Sequence, residues 1–522
     1  MTWTDLISMS SFGEKLLLYV ALLVVTYCSF TSAVVDPATG YERERVICPL
    51  KTLIFGPGLE RTFNVPARYF YIQARDFEYE NFTYSPGPKA FHVNIRPADR
   101  QRGRIQVQLL DRHDGSFIVR YKLHQSYNGL IIEVISGDRH VADSPYQLEA
   151  PVYAENCFCP EQEPSEWLTN MRCPGEVPNQ IQRDFAPFPT IDLDRLVQEA
   201  IERFAEHHSL CHYSIINNRI YRRTFGQHVG FKMFSDAFLT SLARKVALPD
   251  LEFFINLGDW PLEKRLVSQS PLPILSWCGS EMTRDIVLPT YDLTESTLET
   301  MGRVTLDMMS VQANTGPEWE EKTSQGFWRG RDSRRERLEL VKLSRRNPEL
   351  IDAALTNFFF FKQNDELYGP KVKHVSFFDF FKYKYQVNID GTVAAYRLPY
   401  LLAGDSLVFK HNSTYYEHFY KELRPWEHFI PFEQDLSDLE EKLRWAMDND
   451  EKAKQIAETG SEFARSNLLS NRIFCYYYQV LTEYASRQTR SPRVYDDMEE
   501  VTQPDGSDNC LCSNSQQNHE EL

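Results

Sequence analysis

No apolar run in this sequence is long enough to cross a membrane. The most apolar stretch, residues 16–25, has ten residues, and a spanning helix needs about 20. Excess basic charge is also missing: 57 Lys and Arg stand against 73 Asp and Glu, a net charge of −16. That argues against nucleic acid as a partner, because such binders are usually basic. Both glycine-rich nucleotide fingerprints are absent. Without GxGxxG no nicotinamide cofactor is indicated, and without GxxxxGK[ST] no ATP hydrolysis is. Cysteine is sparse, at ten residues. The two tight pairs, Cys157 with Cys159 and Cys510 with Cys512, lack the CxxC and histidine spacing of a structural zinc site. No metal site is expected.

What is present describes an ordinary globular chain, 42% hydrophobic and 25% charged. Its 522 residues correspond to about two to four domains. Residues 1–33 read as a secretory signal: Lys15, the apolar run 16–25, a polar stretch 26–32, then small Ala33 as cleavage site. The stretch 16–35 carries no charge, so an uncleaved anchor is the alternative; stable membrane insertion is not expected. Asn81-Phe82-Thr83 and Asn412-Ser413-Thr414 are glycosylation sequons, usable only in the secretory route. The terminal His519-Glu520-Glu521-Leu522 resembles the KDEL/HDEL address read by a retrieval receptor. Together these features point to the endoplasmic reticulum lumen, where some of the cysteines outside the signal should pair.

Residues 48–152 read as all-β. Phe91, Val93 and Ile95 alternate, as do Ile105, Val107 and Leu109, then Phe117, Val119 and Tyr121. Asp114-Gly115 and Asn128-Gly129 are turn signals. Short alternating strands with regular turns predict a sandwich. Gly56-Pro57-Gly58-Leu59, the run Asp114-Gly115-Ser116-Phe117-Ile118-Val119 and Ser144-Pro145-Tyr146 resemble a filamin-type immunoglobulin-like repeat, which implies a recognition or spacer module. Residues 153–190 form a linker rich in proline and carrying Cys157, Cys159 and Cys173, stapled rather than floppy.

From 191 to 487 helices and strands alternate. A helix is expected over 196–207, and Phe234, Phe238, Leu239 and Leu242 mark a face of another. Strands are expected at 251–255, 274–277, 350–355, 358–361 and 406–409. Such alternation implies parallel sheet. Almost 300 residues exceed one α/β layer, so the region is expected to form two Rossmann-like lobes with a cleft. Ser437 with Glu440 reads as a capping box opening a helix over 439–447. The polar tail, 488–522, is expected to be disordered.

Three stretches carry chemistry. LEFFINLGDWP (251–261) is a buried strand ending on Asp259, between Gly258 and Trp260-Pro261. Ligands of open α/β sheets sit beyond the carboxyl ends of the strands, so Asp259 is placed to act as a general base; the alternative is a turn aspartate bonded to its own backbone. WRGRDSRRERLELVKLSRR (328–346) has eight basic residues and three acids, a local reversal of the chain's charge. Gly330 lets the backbone approach a ligand. Arginine forks at a helix start suit a diphosphate, and Arg331 and Arg337 are the candidates; Arg345 and Arg346 read as a solvated face. In 391–401 a glycine turn follows a strand over 385–389. Ala394 and Ala395 permit close approach, Tyr396 could stack on a base and Arg397 could meet phosphate, or the segment is an ordinary strand-to-helix turn. Asp192-Leu193-Asp194 and Asp448-Asn449-Asp450 read as helix caps rather than metal holders. Trp445 and the run 358–361 read as core, and His228 as a structural histidine rather than a substrate contact.

Taken together, GQHVGFKMF, FINLGDWP, SWCGS, DIVLPTYD, WRGRDSRRERLELVKLSRRNPELIDA, KYKYQVNIDGTVAAYRLPYLL and EHFYKELRPWEHFIP resemble the protein O-glucosyltransferases of the capsule-associated, lipopolysaccharide-modifying glycosyltransferase family. The likeness is to the members with a KDEL-type tail and a filamin-like N-terminal domain. It implies a GT-B architecture over 191–487 and inverting transfer of glucose from UDP-glucose, or xylose from UDP-xylose, to serine on folded EGF-like repeats, with no required metal. Asp259 matches the family's base, and Arg337 the arginine that meets the UDP diphosphate. Arg331, Arg397 with Leu398 and Pro399, and the stretch around Asp292 and Thr294 match donor-contacting segments. Cys157 and Cys475 match a family disulfide, which makes Cys159–Cys173 the inferred second bridge; Cys48, Cys211, Cys278, Cys510 and Cys512 are left unassigned. Phe381 and Ala403 stand where a short relative has a further bridge. The competing readings are a catalytically inactive lumenal binding protein and a polysaccharide-modifying transferase.

Overall fold

The computed structural model describes residues 31–35, 42–99, 102–265, 270–506, 510 and 512. Most of the expected signal segment and the whole HEEL tail lie outside the described residues. The chain divides into two compact units, residues 1–155 with 510–522, and residues 156–509.

In the first unit, alternating side chains fold as two main antiparallel sheets, beside a short antiparallel pair of Thr31–Val35 with Glu42–Val46. One holds Leu53–Phe55, Arg68–Gln73, Ser116–Leu123 and Ile105–Asp111, and the other Tyr146–Leu148, Leu130–Ser136, His92–Pro97 and Arg139–His140. Phe70, Ile72, Phe117 and Val119 from the first share a core with Ile95, Leu130, Ile132 and Val134 from the second. Gly115 takes φ 81° at the expected turn, and any Cβ there would lie 2.1 Å from the Phe82 carbonyl oxygen. The Tyr121 hydroxyl donates to Gly58 O at 2.6 Å, tying the Gly-Pro-Gly turn to the core.

The second unit contains two main sheets. In the first, β1 (Leu210–Ile216), β2 (Arg219–Phe225), β3 (Leu251–Asn256), β4 (Ile274–Ser276) and β5 (Ile286–Val287) lie in the order β5-β4-β3-β1-β2. The β3–β4 and β4–β5 pairings are parallel, whereas β1 runs antiparallel to both of its neighbours, β2 and β3. The expectation of parallel sheet fails at β1 and β2 because Asn217 and Asn218, at φ 50° and 61°, close a two-residue hairpin that forces antiparallel pairing. The second sheet is parallel throughout. It holds β6 (Thr323–Arg331), β7 (Ile351–Asn357), β8 (Tyr383–Asn388), β9 (Leu407–His411) and β10 (Ile430–Phe432), ordered β7-β6-β8-β9-β10. Trp328, Tyr385, Val387 and Phe409 from these strands share a core with Leu340 and Val341. Residues 358–361 add no strand; a turn follows β7 instead.

Residues 488–506 of the tail are ordered. Glu499–Glu500 extends the first sheet by pairing antiparallel with β2. Its acids answer the arginines of that edge: Arg219 meets Glu500 at 2.9 Å, Arg223 meets Asp497 at 2.8 Å, and Arg222 pairs with Glu499. Arg490 and Tyr495 also reach the buried Glu252 carboxylate of β3, both at 3.0 Å. Composition alone reads this segment as disordered; the complementary charges on β2 hold it down and cover an edge strand.

Two further expectations are corrected. Cys173, not Cys157, pairs with Cys475, at a Cα–Cα distance of 5.5 Å. Cys157 and Cys159 are both disulfide-bonded, but their sulfurs are 3.5 Å apart, so neither bridges the other, and Cys159–Cys173 does not form. The pairing follows from docking: Asn471 Nδ2 donates to Met171 O at 3.0 Å, which lays the segment after the helix Pro164–Asn170 on the first turns of the helix Ser470–Ser486. Cys475→Ser should lower stability by about 2–4 kcal/mol, read from urea unfolding of the oxidised protein. The helix expected at 439–447 is present as Leu439–Asp448, but no side chain caps it; Glu440 is drawn away by Asn347 Nδ2 at 2.6 Å. Phe381 and Ala403 are buried, with the Phe381 ring filling the space where a Cβ on Gly404 would sit.

Candidate active site

The segments that follow β3, β6, β7 and β8 border one cavity of about 630 Å³, lined among others by Asp259, Asp292, Arg331, Arg337, Tyr396 and Arg397. The sheets' carboxyl ends thus bring together residues separated by more than a hundred positions in sequence.

The basic wall is built around Arg337. It lies in the first turn of α1 (Arg335–Arg346), 4% exposed. Its Nε donates to Asp390 O at 2.6 Å, Nη1 to Arg331 O at 3.0 Å and Nη2 to Ile389 O at 3.2 Å. Three of its five N–H donors are committed to main chain, and the plane of the fork is fixed. Gly391 permits this: a Cβ there would lie 3.1 Å from Nη2. Burial, then Arg397, lower the Arg337 guanidinium to about 9, with Asp390 opposing. Arg397 donates from Nη1 to Arg329 O at 2.7 Å; burial and then Arg331 lower it to about 10. Arg331 is exposed to the cavity, just past a register shift in β6 at Gly330. A Cβ on Gly330 would come within 2.6 Å of the Trp328 ring. Guanidiniums held close enough to depress one another are an electrostatic deficit that an anion relieves.

Opposite stands Asp259. β3 is buried along its whole length, and the chain leaves it through Leu257 and Gly258. The Asp259 carboxylate is solvent-accessible and takes no hydrogen bond among the described residues. Protein atoms crowd it nonetheless, and this desolvation raises its pKa above the usual carboxylate value against the pull of Arg331. Trp260 stands beside it, 47% exposed. Asp292, in α2 (Tyr291–Leu298), is pushed up to about 6 by burial.

Tyr396 lines the cavity with its ring edge-on to Tyr291, centroids 5.6 Å apart, and its buried hydroxyl has no hydrogen-bond partner among the described residues. Three expected contacts do not reach the cavity. Thr294 turns inward and donates to Tyr291 O at 3.0 Å. Leu398 and Pro399 are buried in the first turn of α3 (Leu398–Ala403). Sequence reading missed Tyr291, which neighbours Asp292, and the wall of His374, Val375, Phe377 and Phe380, which has no strand or turn signature. It also read Phe359 and Phe360 as core, yet they are 65% and 59% exposed, and Phe359 lines the cavity. Asp332 holds that turn, accepting from Phe359 N at 2.8 Å, Phe360 N at 3.0 Å and Phe361 N at 2.7 Å. His228 is exposed at φ 59° and lies outside the cavity.

The Asp-x-Asp pairs serve structure. Asp192 Oδ1 accepts from Asp194 N and Arg195 N, both at 3.1 Å, as a helix cap. Asp450 accepts from Trp319 Nε1 at 3.0 Å and Lys384 Nζ at 2.7 Å. The free thiols Cys211 and Cys278 are buried, and burial raises both, Cys211 to about 12, so neither is an activated nucleophile.

A cleft that gathers the carboxylates of Asp259 and Asp292 with Arg331, Arg337 and Arg397 is suited to moving a group off an anionic carrier. Residues 168–520 match glycosyl transferase family 90, and residues 46–147 match the filamin/ABP280 repeat. The chain belongs to glycosyl transferase family 90, with a filamin repeat ahead of the transferase region, and membership implies a nucleotide-sugar donor. It is 60% identical over 464 residues to protein O-glucosyltransferase 2 of Danio rerio, covering 89% of this chain and 93% of that protein. It is 52% identical over 487 residues to protein O-glucosyltransferase 3 of Homo sapiens, covering 92% and 96%. With protein O-glucosyltransferase 1 of Homo sapiens it shares 32% identity over 314 residues, 58% of this chain and 78% of that protein.

Proposed function

We propose that this enzyme is a protein O-glucosyltransferase that moves glucose from UDP-glucose, with UDP-xylose as a second donor, to a serine hydroxyl of folded EGF-like repeats in the endoplasmic reticulum lumen. The observation that carries the reading is the shared cavity of Asp259 with Arg331, Arg337 and Arg397. In this reading the two sheets are the lobes of a GT-B enzyme and the donor lies between them. Asp259 accepts the proton of the acceptor serine as its oxygen attacks the anomeric carbon from the face opposite UDP, inverting the configuration. Arg337, fixed before the donor arrives, and Arg397 take up the charge that develops on the departing diphosphate. Tyr396 closes the donor side of the pocket. The lumenal location is supported by the two sequons, whose Asn81 and Asn412 side chains are exposed. No helix among the described residues is long and apolar enough to cross a membrane.

The test is purified protein with a panel of UDP-sugars and folded EGF-like repeats, read by mass. Glucose on a repeat serine supports the assignment. Donor hydrolysis alone, or transfer only to a free glycan, contradicts it. The guanidiniums supply the positive charge that a divalent ion otherwise brings, so EDTA should leave the rate unchanged; a loss restored by added Mn²⁺ or Mg²⁺ would show otherwise. Because desolvation raises Asp259 and the base works deprotonated, activity should fall with falling pH through a midpoint above the ordinary aspartate value of about 4. A kcat profile flat down to that value would contradict the assignment.

A further inference from the structure

We infer that Asn256, Ser276 and Asp285 form a buried clamp that sets the pose of the Asp259 carboxylate, making them positioning residues for transfer; this rests on Asp259 being the base. All three side chains are 1% exposed. Asn256, the last residue of β3, straddles the base. Its Oδ1 accepts from Gly258 N at 2.9 Å, and its Nδ2 donates to Trp260 O at 2.7 Å. A Cβ on Gly258 would lie 3.3 Å from that Oδ1, a tight contact that glycine avoids. The Asn256 Nδ2 also donates to Ser276 Oγ on β4 at 3.1 Å, and Ser276 Oγ donates to Asp285 Oδ1 at 2.7 Å. Asp285 then catches the far end of the same loop, accepting from Leu262 N and Glu263 N, each at 2.8 Å. Glu263 is in turn held by Arg203, with contacts of 2.9 and 2.8 Å.

The loop is therefore pinned at 258, 260, 262 and 263 by one connected set of buried side chains. Asp259 is left between the pins with a side chain that bonds to no described residue. A base with no partner of its own cannot be oriented through its carboxylate; its direction has to be set by the backbone on either side. A buried polar chain of this kind rigidifies when every member is satisfied. Asn256 and Asp285 bond to the loop, Ser276 ties the two together, and none of the three lines the cavity, so their effect on the reaction passes through Asp259.

Displacing a reacting group by about 1 Å costs up to about 10²-fold in rate. Asn256→Ala should thus lower kcat by about 10- to 100-fold, with KM for UDP-glucose and the calorimetric affinity for UDP unchanged, because the arginine wall is untouched. Asn256→Asp keeps the shape and the acceptor for Gly258 but loses both donors. It should show the same split, and it carries the test if the alanine variant is insoluble. Wild type and Asp259→Asn are run alongside. Wild-type kcat in soluble Asn256→Ala or Asn256→Asp beside an inactive Asp259→Asn overturns the clamp alone. So does a fall in UDP affinity in step with kcat, which marks general loosening of the fold. Full activity of Asp259→Asn overturns the base assignment and the clamp with it.

Discussion

Replacing Asp259 by asparagine should lower kcat by about 10²–10⁴-fold, the range of general-base assistance, while UDP still binds. The substitution preserves volume and removes only the ability to take a proton. Asp259 bonds to no described residue, so its loss breaks no structural contact. The arginines that would grip the diphosphate belong to the other sheet: Arg331 ends β6, Arg337 opens α1 and Arg397 precedes α3. UDP affinity by calorimetry should therefore match wild type, and thermal stability should be unchanged. An inactive protein that has also lost UDP binding would mean that the carboxylate supports the donor pocket and is not the base.

The second large effect is expected at Arg337, with the opposite signature. Arg337→Ala should weaken UDP binding and lower kcat/KM for UDP-glucose by about 10²–10³-fold, the range seen when a preorganised transition-state donor is removed. It should also lower stability. Three backbone carbonyls accept from this guanidinium, and an unsatisfied buried acceptor costs about 1–3 kcal/mol. Arg337→Lys should not restore activity, because one ammonium cannot bond Asp390 O, Arg331 O and Ile389 O and still offer a planar fork to phosphate. Donor kinetics and a melting curve on both variants check this. Unchanged kinetics in Arg337→Ala would remove the arginine from the donor site.

That Asp259 and the arginines would line one cavity was legible in the sequence because each sits at a local signature. A fully apolar strand runs into Gly258-Asp259, a basic cluster interrupts an acidic chain at Gly330, and a glycine turn follows β8 before Arg397. Their convergence follows from strand order, since carboxyl ends of strands collect ligand-binding groups. What stayed hidden depends on contacts distant in sequence. The strap 497–500 looks disordered by composition and is ordered by arginines nearly 280 positions away. Cys173 rather than Cys157 meets Cys475 because of how one linker turn docks on a late helix, which no spacing rule encodes. Phe359 and Phe360 sit in a four-phenylalanine run that reads as core, yet Asp332 turns them outward. Asn256 reads as the polar end of a strand until its partners Gly258, Trp260 and Ser276 are placed around it.

The most direct test is the mass of a folded EGF-like repeat after incubation with UDP-glucose and the purified enzyme. One hexose on a repeat serine with wild type, and none with Asp259→Asn, is the predicted result. An unmodified repeat with wild-type enzyme, or equal modification by both proteins, would contradict it.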